Sequence, residues 1–105
     1  MNDDWRSLTE VDKLIHEPSR LMIMTILSSV EKADFVYLQR ETGLTRGNLS
    51  VHLTKLGEAG YIDIQKTFNG KRPQTVCQVT AAGREAFVKY TDYLKKVVSK
   101  ISTSG

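Results

Sequence analysis

The sequence predicts an α+β fold that is mostly helical, with one β-hairpin and long helices at both ends of the chain. Two short helices joined by a tight turn are expected over residues 35–60. A hairpin should follow at 61–80, because two β-prone runs flank Asn69 and Gly70, a pair that favours a two-residue turn. Residues 80–102 repeat apolar side chains every three or four positions, which indicates a long final helix.

Composition and charge restrict the class of protein. The 105 residues, 40% hydrophobic and 26% charged, suit one globular domain spanning 1–105. No window holds the 18 apolar residues that a membrane span needs, and the polar N-terminus is not a secretory signal, so we expect a cytoplasmic protein without a membrane partner. The net charge is +3, but residues 1–35 hold more acidic than basic side chains and 36–105 the reverse. This distribution favours a polyanionic partner.

The N-terminal third predicts two helices. Ser7 and Glu10 have capping-box spacing, and an apolar pattern behind them predicts a first helix from Leu8 to His16, where the helix dipole would favour a histidine cation. A second helix should begin at Pro18, which fixes φ at a first turn. Its sequence is apolar nearly all round, so we expect it to be buried. Residues 35 and 36 are expected to form a short extended segment.

The two-helix motif has a buried face and a free face. Gly43 should end the first helix in a left-handed conformation, and Thr45 is a good N-cap for the second. Leucines at spacings of four and three then predict a buried stripe: Leu49, Leu53 and Leu56. The opposite face is small, polar and weakly basic, which suits the floor of a DNA groove, although an ordinary amphipathic helix is the alternative. That face is formed by Gly47, Asn48, Ser50, Val51, Thr54 and Lys55.

The hairpin predicts a basic projection. A loop of Asn69 and Gly70 would pair Phe68 with Lys71, Ile64 with Thr75 and Ile62 with Cys77. One face would then cover the helices with Ile62, Ile64, Thr75, Cys77 and Val79. The tip collects Lys66, Asn69, Gly70, Lys71, Arg72 and Pro73, so it should protrude as a wing rather than extend into a larger sheet.

The final helix predicts a dimer. Thr80 should cap this helix. Apolar residues repeat along it in a seam, and so short a chain offers no other element against which the second half of that seam could pack. We therefore expect a homodimer, with a helix folded back on its own core as the alternative. The apolar seam begins at Phe87, and the expected interface contains Trp5, Leu8, Tyr90, Leu94, Val97 and Ile101.

The order of elements resembles the winged-helix transcriptional regulators of bacteria and archaea, particularly the MarR and ArsR groups. Three segments carry the resemblance: IHEPSRLMIMTIL, TRGNLSVHLTKLGEAGYI and VTAAGREAF. The resemblance implies double-stranded DNA as the partner, with the second helix of the motif in the major groove. Thr45, Arg46, Asn48, Ser50, Val51 and Lys55 would face that groove, and Lys71 and Arg72, beside Lys66, would meet phosphates or the neighbouring minor groove. The position of Arg46 near the apolar edge favours phosphate contact, and Val51 is suited to a thymine methyl.

Other chemistry finds little support in the sequence. The ArsR group often senses metals, but Cys77 is alone and the two histidines lie in different predicted helices, so we expect no metal site. Cys77 is interpreted as a small buried hydrophobe, and His52 as a partly buried residue bonded to backbone or phosphate. Trp5, Tyr90 and Tyr93 could line a pocket for a small-molecule effector, but interface packing explains them better.

We expect no cofactor and no enzymatic activity, because clustered carboxylates, an activated nucleophile and a phosphate-binding glycine loop are lacking. The alternative to a DNA-binding regulator is a winged-helix module that binds protein, or a subunit of a larger complex. A continuous apolar patch that included Val51 and Phe68 would favour that alternative.

Overall fold

The computed structural model describes residues 5–104, the last two of them only as helical backbone. A 3-10 helix, Trp5–Thr9, precedes four α-helices and three strands. The strands form one antiparallel sheet in the order β1–β3–β2, so the mostly helical α+β prediction with a hairpin is confirmed. The elements are α1 (Pro18–Ser29), β1 (Ala33–Asp34), α2 (Phe35–Thr42), α3 (Arg46–Glu58), β2 (Ile62–Asn69), β3 (Arg72–Val79) and α4 (Ala81–Ser104).

Helix α1 is the buried centre of the fold. It begins at Pro18 as predicted, and the Glu17 carboxylate caps it by accepting hydrogen bonds from the backbone N–H groups of Ser19 and Arg20, at 3.0 and 3.1 Å. Three of its side chains are fully buried, and the helix contacts α2, α3, α4 and β3. Those side chains are Ile23, Met24 and Leu27.

The predicted first helix from Leu8 to His16 is wrong. Only the 3-10 helix forms there, and a turn occupies residues 13–16. The Asp12 carboxylate accepts hydrogen bonds from the backbone N–H groups of Leu14 and Ile15, at 3.0 and 3.1 Å. A short acidic side chain that binds nearby backbone competes with a helix, which explains the interruption. His16 consequently ends no α-helix, and its Nδ1 lies 2.8 Å from the Tyr90 hydroxyl.

The hairpin register differs from the prediction by two residues. Ile62 pairs with Val79, Ile64 with Cys77, and Phe68 with Pro73, so Gly70 and Lys71 form the loop. Gly70 has a φ of 67°, whereas no non-glycine residue in the described chain has a positive φ. Glycine therefore occupies the first central position of a type II′-like turn, not the second position of a type I′ turn. A shift of two preserves the alternation of faces, so Ile62, Cys77 and Val79 are still buried.

A short third strand was not predicted. The extended segment is β1, two residues before the expected position, and it pairs with β3 through Ala33–Cys77 and Asp34–Val76. Asp34 then caps α2, because its carboxylate accepts a hydrogen bond of 2.7 Å from the Tyr37 N–H. The cap places Phe35 at the first helical position.

Helix α4 is anchored at its start and projects at its end. The Thr80 hydroxyl caps it as predicted, accepting a hydrogen bond of 3.0 Å from the Gly83 N–H. Its first half packs on the core through buried Tyr90, whereas Val98 and Ile101 are 60% and 67% exposed. The radius of gyration is 16.1 Å, compared with about 13 Å for a compact chain of this length. The projecting helix accounts for this elongation.

Candidate nucleic-acid interface

The turn between α2 and α3 forms as the sequence predicts. Gly43 ends α2 with a φ of 71°, and its N–H donates a 2.9 Å hydrogen bond to the Gln39 carbonyl. The Thr45 hydroxyl then caps α3, accepting from the Asn48 N–H at 3.2 Å. Because both caps are local, the turn fixes the start and direction of α3 independently of its outward side chains.

Helix α3 separates a buried face from an exposed one. Its three stripe leucines, Leu49, Leu53 and Leu56, are 0–3% exposed and hold the helix on the core. Every residue predicted to contact DNA is exposed, both on α3 with its cap and on the wing formed by β2, β3 and their loop. These residues are Thr45, Arg46, Asn48, Ser50, Val51, Lys55, Lys66, Lys71 and Arg72.

A basic cleft of about 630 Å³ lies between α3 and the wing, and we call it the helix–wing cleft. It brings together four of the predicted residues, Arg46, Ser50, Lys66 and Arg72, whereas the other five do not line it. Asp34 is the acidic residue in its lining, and its carboxylate accepts hydrogen bonds from the Tyr37 N–H and, at 3.1 Å, from Gln74 Nε2. The cleft therefore offers three cations beside polar donors, a combination suited to an anionic chain.

Phe35 also lines this cleft, and it was not among the residues predicted from the sequence. The Arg46 guanidinium lies 5.3 Å from the centre of the Phe35 ring, within the range of a cation–π interaction. Stacking reduces the freedom of the arginine and directs it along the cleft wall. An aromatic residue just before the two-helix motif was the available signal, but Phe35 was assigned to a short extended segment rather than to the start of α2.

The opposite flank of α3 contacts the start of α1. His52 Nδ1 lies 3.1 Å from Arg20 Nη1 and 3.5 Å from Glu17 Oε2. Partial desolvation opposes ionisation of Glu17, but hydrogen bonds from the Ser19 and Arg20 N–H groups, with nearby His52 and Arg20, lower its pKa. His52 is half-buried as expected, but its partners are side chains rather than backbone. Arg20 was not identified from the sequence as a residue of this flank.

A second cavity, of about 410 Å³, adjoins the first half of α4. Tyr90 and Tyr93 line it together with Tyr61, but Trp5 does not. The Trp5 ring instead lies 4.8 Å from Lys100 Nζ, near the other end of α4. Tyr61 donates a 2.6 Å hydrogen bond to the Asp12 carboxylate, and this bond, with burial, raises the pKa of Tyr61 to about 12. The structure thus keeps Tyr90 and Tyr93 together and places Trp5 away from them.

Cys77 is fully buried in β3, as the sequence predicted. Burial raises the pKa of its thiol to about 11, so the reactive thiolate is disfavoured. Within residues 5–104, no group of three or more His, Cys, Asp or Glu side chains is placed to hold a metal ion. No helix in the same part of the chain has the length and apolarity to cross a membrane.

Comparison with known proteins identifies the family. The family described as a winged helix DNA-binding domain matches residues 19–98, and the chain belongs to it. An uncharacterized protein from Methanocaldococcus jannaschii is 36% identical over 78 residues, which cover 74% of this chain and 85% of that protein.

Solved structures show the same fold. A transcriptional regulator homologue from Pyrococcus horikoshii superposes with a TM-score of 0.83 at 30% identity, covering 91% of this chain and 94% of its own. A MarR family transcriptional regulator from Silicibacter pomeroyi gives a TM-score of 0.64 at 18% identity, covering 91% and 62%. The resemblance to winged-helix regulators is therefore confirmed.

Proposed function

We propose that this protein is a sequence-specific transcriptional regulator that binds double-stranded DNA as a homodimer. One observation carries the proposal: α3 is held by its leucines with its polar face outward, beside a cleft that gathers Arg46, Lys66 and Arg72. A helix of this size fits the major groove, and the adjacent basic wing can follow the flanking backbone or minor groove.

The exposed residues divide by chemistry. Asn48 can hydrogen-bond a base edge, most readily adenine, and the Val51 methyls can contact a thymine methyl. The cations of the helix–wing cleft are better suited to phosphates, which fix position without reading sequence. Lys71, in the loop of the wing, reaches the next stretch of backbone. Affinity would then come mainly from the cations and specificity from the outward face of α3.

The homodimer is proposed from the exposed end of α4. Val98 and Ile101 present apolar surface in the half of the helix that extends beyond the core, near exposed Trp5. Pairing two such helices would bury this surface. Two recognition helices related by a two-fold axis would then lie about 34 Å apart, one turn of DNA.

We assign the protein no cofactor and no catalytic step, and place it in the cytoplasm, where its DNA partner lies. An effector is not part of this proposal. The alternative, a module that binds protein, draws on the exposed side chains of Val36 and Phe68, 68% and 69% accessible. Val36 lines the helix–wing cleft, whose basic residues suit phosphate better than an apolar partner.

The proposal is tested by fluorescence anisotropy, with labelled duplex DNA titrated at several salt concentrations. We expect the logarithm of the association constant to fall linearly and steeply with the logarithm of salt, because bound cations displace condensed counterions. An excess of unlabelled duplex should compete, whereas a neutral peptide-nucleic-acid duplex of the same sequence should not. Absence of salt-sensitive binding to any duplex would contradict the proposal and favour a protein partner.

A further inference from the structure

Beside the flank of α3 opposite the wing lies an arginine of α1 that is fixed by several contacts. Arg20 Nε donates a 2.6 Å hydrogen bond to the Leu14 carbonyl, and its Nη1 lies 3.7 Å from Glu17 Oε2. The same Nη1 is 3.1 Å from His52 Nδ1. The arginine side chain is only 11% exposed. Its contact with His52 is therefore held by an ion pair and a backbone acceptor outside α3.

This contact determines which ring nitrogen of His52 carries the proton. A guanidinium group has N–H donors and no acceptor, so Nδ1 must accept the hydrogen bond from Arg20. A neutral imidazole carries one proton, which is then on Nε2. If the ring gains a second proton, Nδ1 can donate to Glu17 Oε2, at 3.5 Å, and Nε2 keeps its own. Nε2 is thus a hydrogen-bond donor in both charge states.

That donor has no hydrogen-bond partner within the described residues and is not fully buried. The Ser28 hydroxyl is the one buried, unpartnered side-chain nitrogen or oxygen in residues 5–104, so His52 Nε2 is not buried. The side chain of His52 is 18% exposed. An N–H group at the edge of the domain, with its ring fixed from behind, is prepared to donate to something outside the chain.

The position of His52 on α3 indicates what that acceptor is. His52 follows Val51 and lies one turn from Asn48 and close to Lys55, on the side of the helix away from the wing. Ser50 and Thr54, on the other side, line the helix–wing cleft. A helix in a major groove is bordered by both sugar–phosphate backbones, and the flank that carries His52 faces the backbone distant from the wing.

We propose that His52 donates its Nε2–H to a DNA phosphate on the side of the major groove opposite the wing, and that Arg20 is the positioning residue that fixes the ring tautomer. The inference rests on the proposed DNA-binding function and adds a phosphate contact supplied from α1 through α3. It assigns the Glu17–Arg20–His52 cluster a role in binding, beyond holding two helices together.

Two variants separate the two ring nitrogens. His52→Asn keeps an acceptor near Nδ1 for Arg20 but has no group at the position of Nε2, whereas His52→Gln can place an amide N–H there. We expect His52→Asn to weaken binding about tenfold for all duplexes, and His52→Gln to remain within about threefold of the wild type. Matching thermal unfolding midpoints would show that both variants are folded. Binding by His52→Asn at wild-type affinity would overturn the proposal.

The phosphate that accepts the proposed hydrogen bond from His52 can be located with duplexes in which single phosphates are replaced by neutral methylphosphonates. At one position on the backbone distant from the wing, replacement should weaken the wild type but leave His52→Asn unchanged. If the two proteins respond equally at every position, His52 contacts no phosphate. If the wild type binds no duplex at all, the proposed function fails with it, which distinguishes the two failures.

The proposed role of Arg20 in fixing the His52 tautomer is tested by NMR, from long-range ¹H–¹⁵N correlations of the histidine rings in the free protein. The wild type should show His52 with its proton on Nε2 alone, and Arg20→Met should show exchange between both neutral forms. A proton on Nδ1 in the neutral wild type would overturn the proposal. An unchanged tautomer in Arg20→Met would overturn the positioning role of Arg20.

Discussion

Val51 is 52% exposed at the middle of the outward face of α3, between polar residues. In a DNA-bound state its methyls are suited to a thymine methyl, and Asn48 is suited to an adenine edge. Each residue would then recognise one base pair, and the preference for that base pair should be lost when the side chain is truncated.

We therefore predict that Val51→Ala and Asn48→Ala each relax preference at a single base position by about 1–3 kcal/mol, while other positions keep their preferences. Competition binding against a set of duplexes with every single base-pair change measures this. A uniform loss of affinity across the set would contradict a base-reading role for the residue concerned.

Arg46 belongs to the helix–wing cleft rather than to the centre of the outward face. Arg46→Ala should weaken binding to all sequences alike and reduce the salt slope by about 1, because one phosphate contact is lost. Arg40→Ala is a matched control: that arginine is also exposed and lies 5.5 Å from the Tyr37 ring, but it is not in the cleft lining. Equal losses from both variants would show that the cleft has no special role.

At the scale of residues, solvent exposure was predictable but orientation was not. Leucine spacing along α3 determines which side of that helix faces out, and the six DNA-binding residues predicted on α3 and its cap are exposed. The three predicted on the wing are exposed as well, because the hairpin protrudes. Stacking of Arg46 on Phe35, and the bonds from Arg20 to His52, join residues 11 and 32 positions apart. Such contacts depend on how the helices cross, which local patterns do not contain.

Helix α4 begins in close contact with Tyr61, in the connection between α3 and β2. A Cβ on Gly83 would collide with the carbonyl of Tyr61, and the collision is with backbone that cannot turn away. In contrast, a Cβ on Gly47, also within a helix, would meet nothing within 4 Å. The two glycines occupy helices for different reasons, and only the first is required by packing.

We predict that Gly83→Ala lowers the free energy of unfolding by about 1–3 kcal/mol, because the start of α4 must move away from Tyr61. Gly47→Ala, the control, should raise it by about 0.5–1 kcal/mol, because alanine is the better helix former. Urea unfolding at one fixed protein concentration measures both. A Gly83→Ala protein as stable as the wild type would contradict the close approach of α4 to Tyr61.

At the scale of elements, predictions succeeded where the signal was local and strong. Proline at the start of α1, glycine after α2 and threonine caps on α3 and α4 each determine a helix end with one residue. The prediction of an N-terminal helix failed because the Asp12 carboxylate binds the backbone N–H of Leu14, two residues later. The predicted hairpin register was wrong because glycine is favoured in two types of hairpin turn, at different positions. Strand β1 contains two residues, too few for a periodic pattern.

The molecule as a whole is elongated, with extents of 61, 25 and 20 Å. The exposed apolar residues at the end of α4 should form the interface of the proposed homodimer.

We predict that the double variant Val98→Glu, Ile101→Glu is monomeric in sedimentation equilibrium, because a dimer would bring four carboxylates together. Lys96→Glu changes the net charge by the same amount and supplies the control, since that exposed residue lies on the side of α4 opposite Val98 and Ile101.

A dimeric double variant would contradict the use of this end of α4 as the interface.

The order of helices and hairpin was predictable from sequence, because each element has its own periodicity. The assembly is predictable from the sequence only as an apolar seam along α4. In the proposed homodimer a second copy would supply the other half of that surface, and the orientation of that copy is not contained in the pattern of one chain.

We expect two copies of α3 to read two half-sites in successive major grooves. Selection of bound sequences from a random duplex pool tests this expectation, because the selected sequences report binding, symmetry and spacing together. An inverted repeat should be enriched, with half-sites centred about one helical turn apart, 10–10.5 base pairs. Retention of the pool without enrichment, or a single site with no symmetric partner, would contradict it.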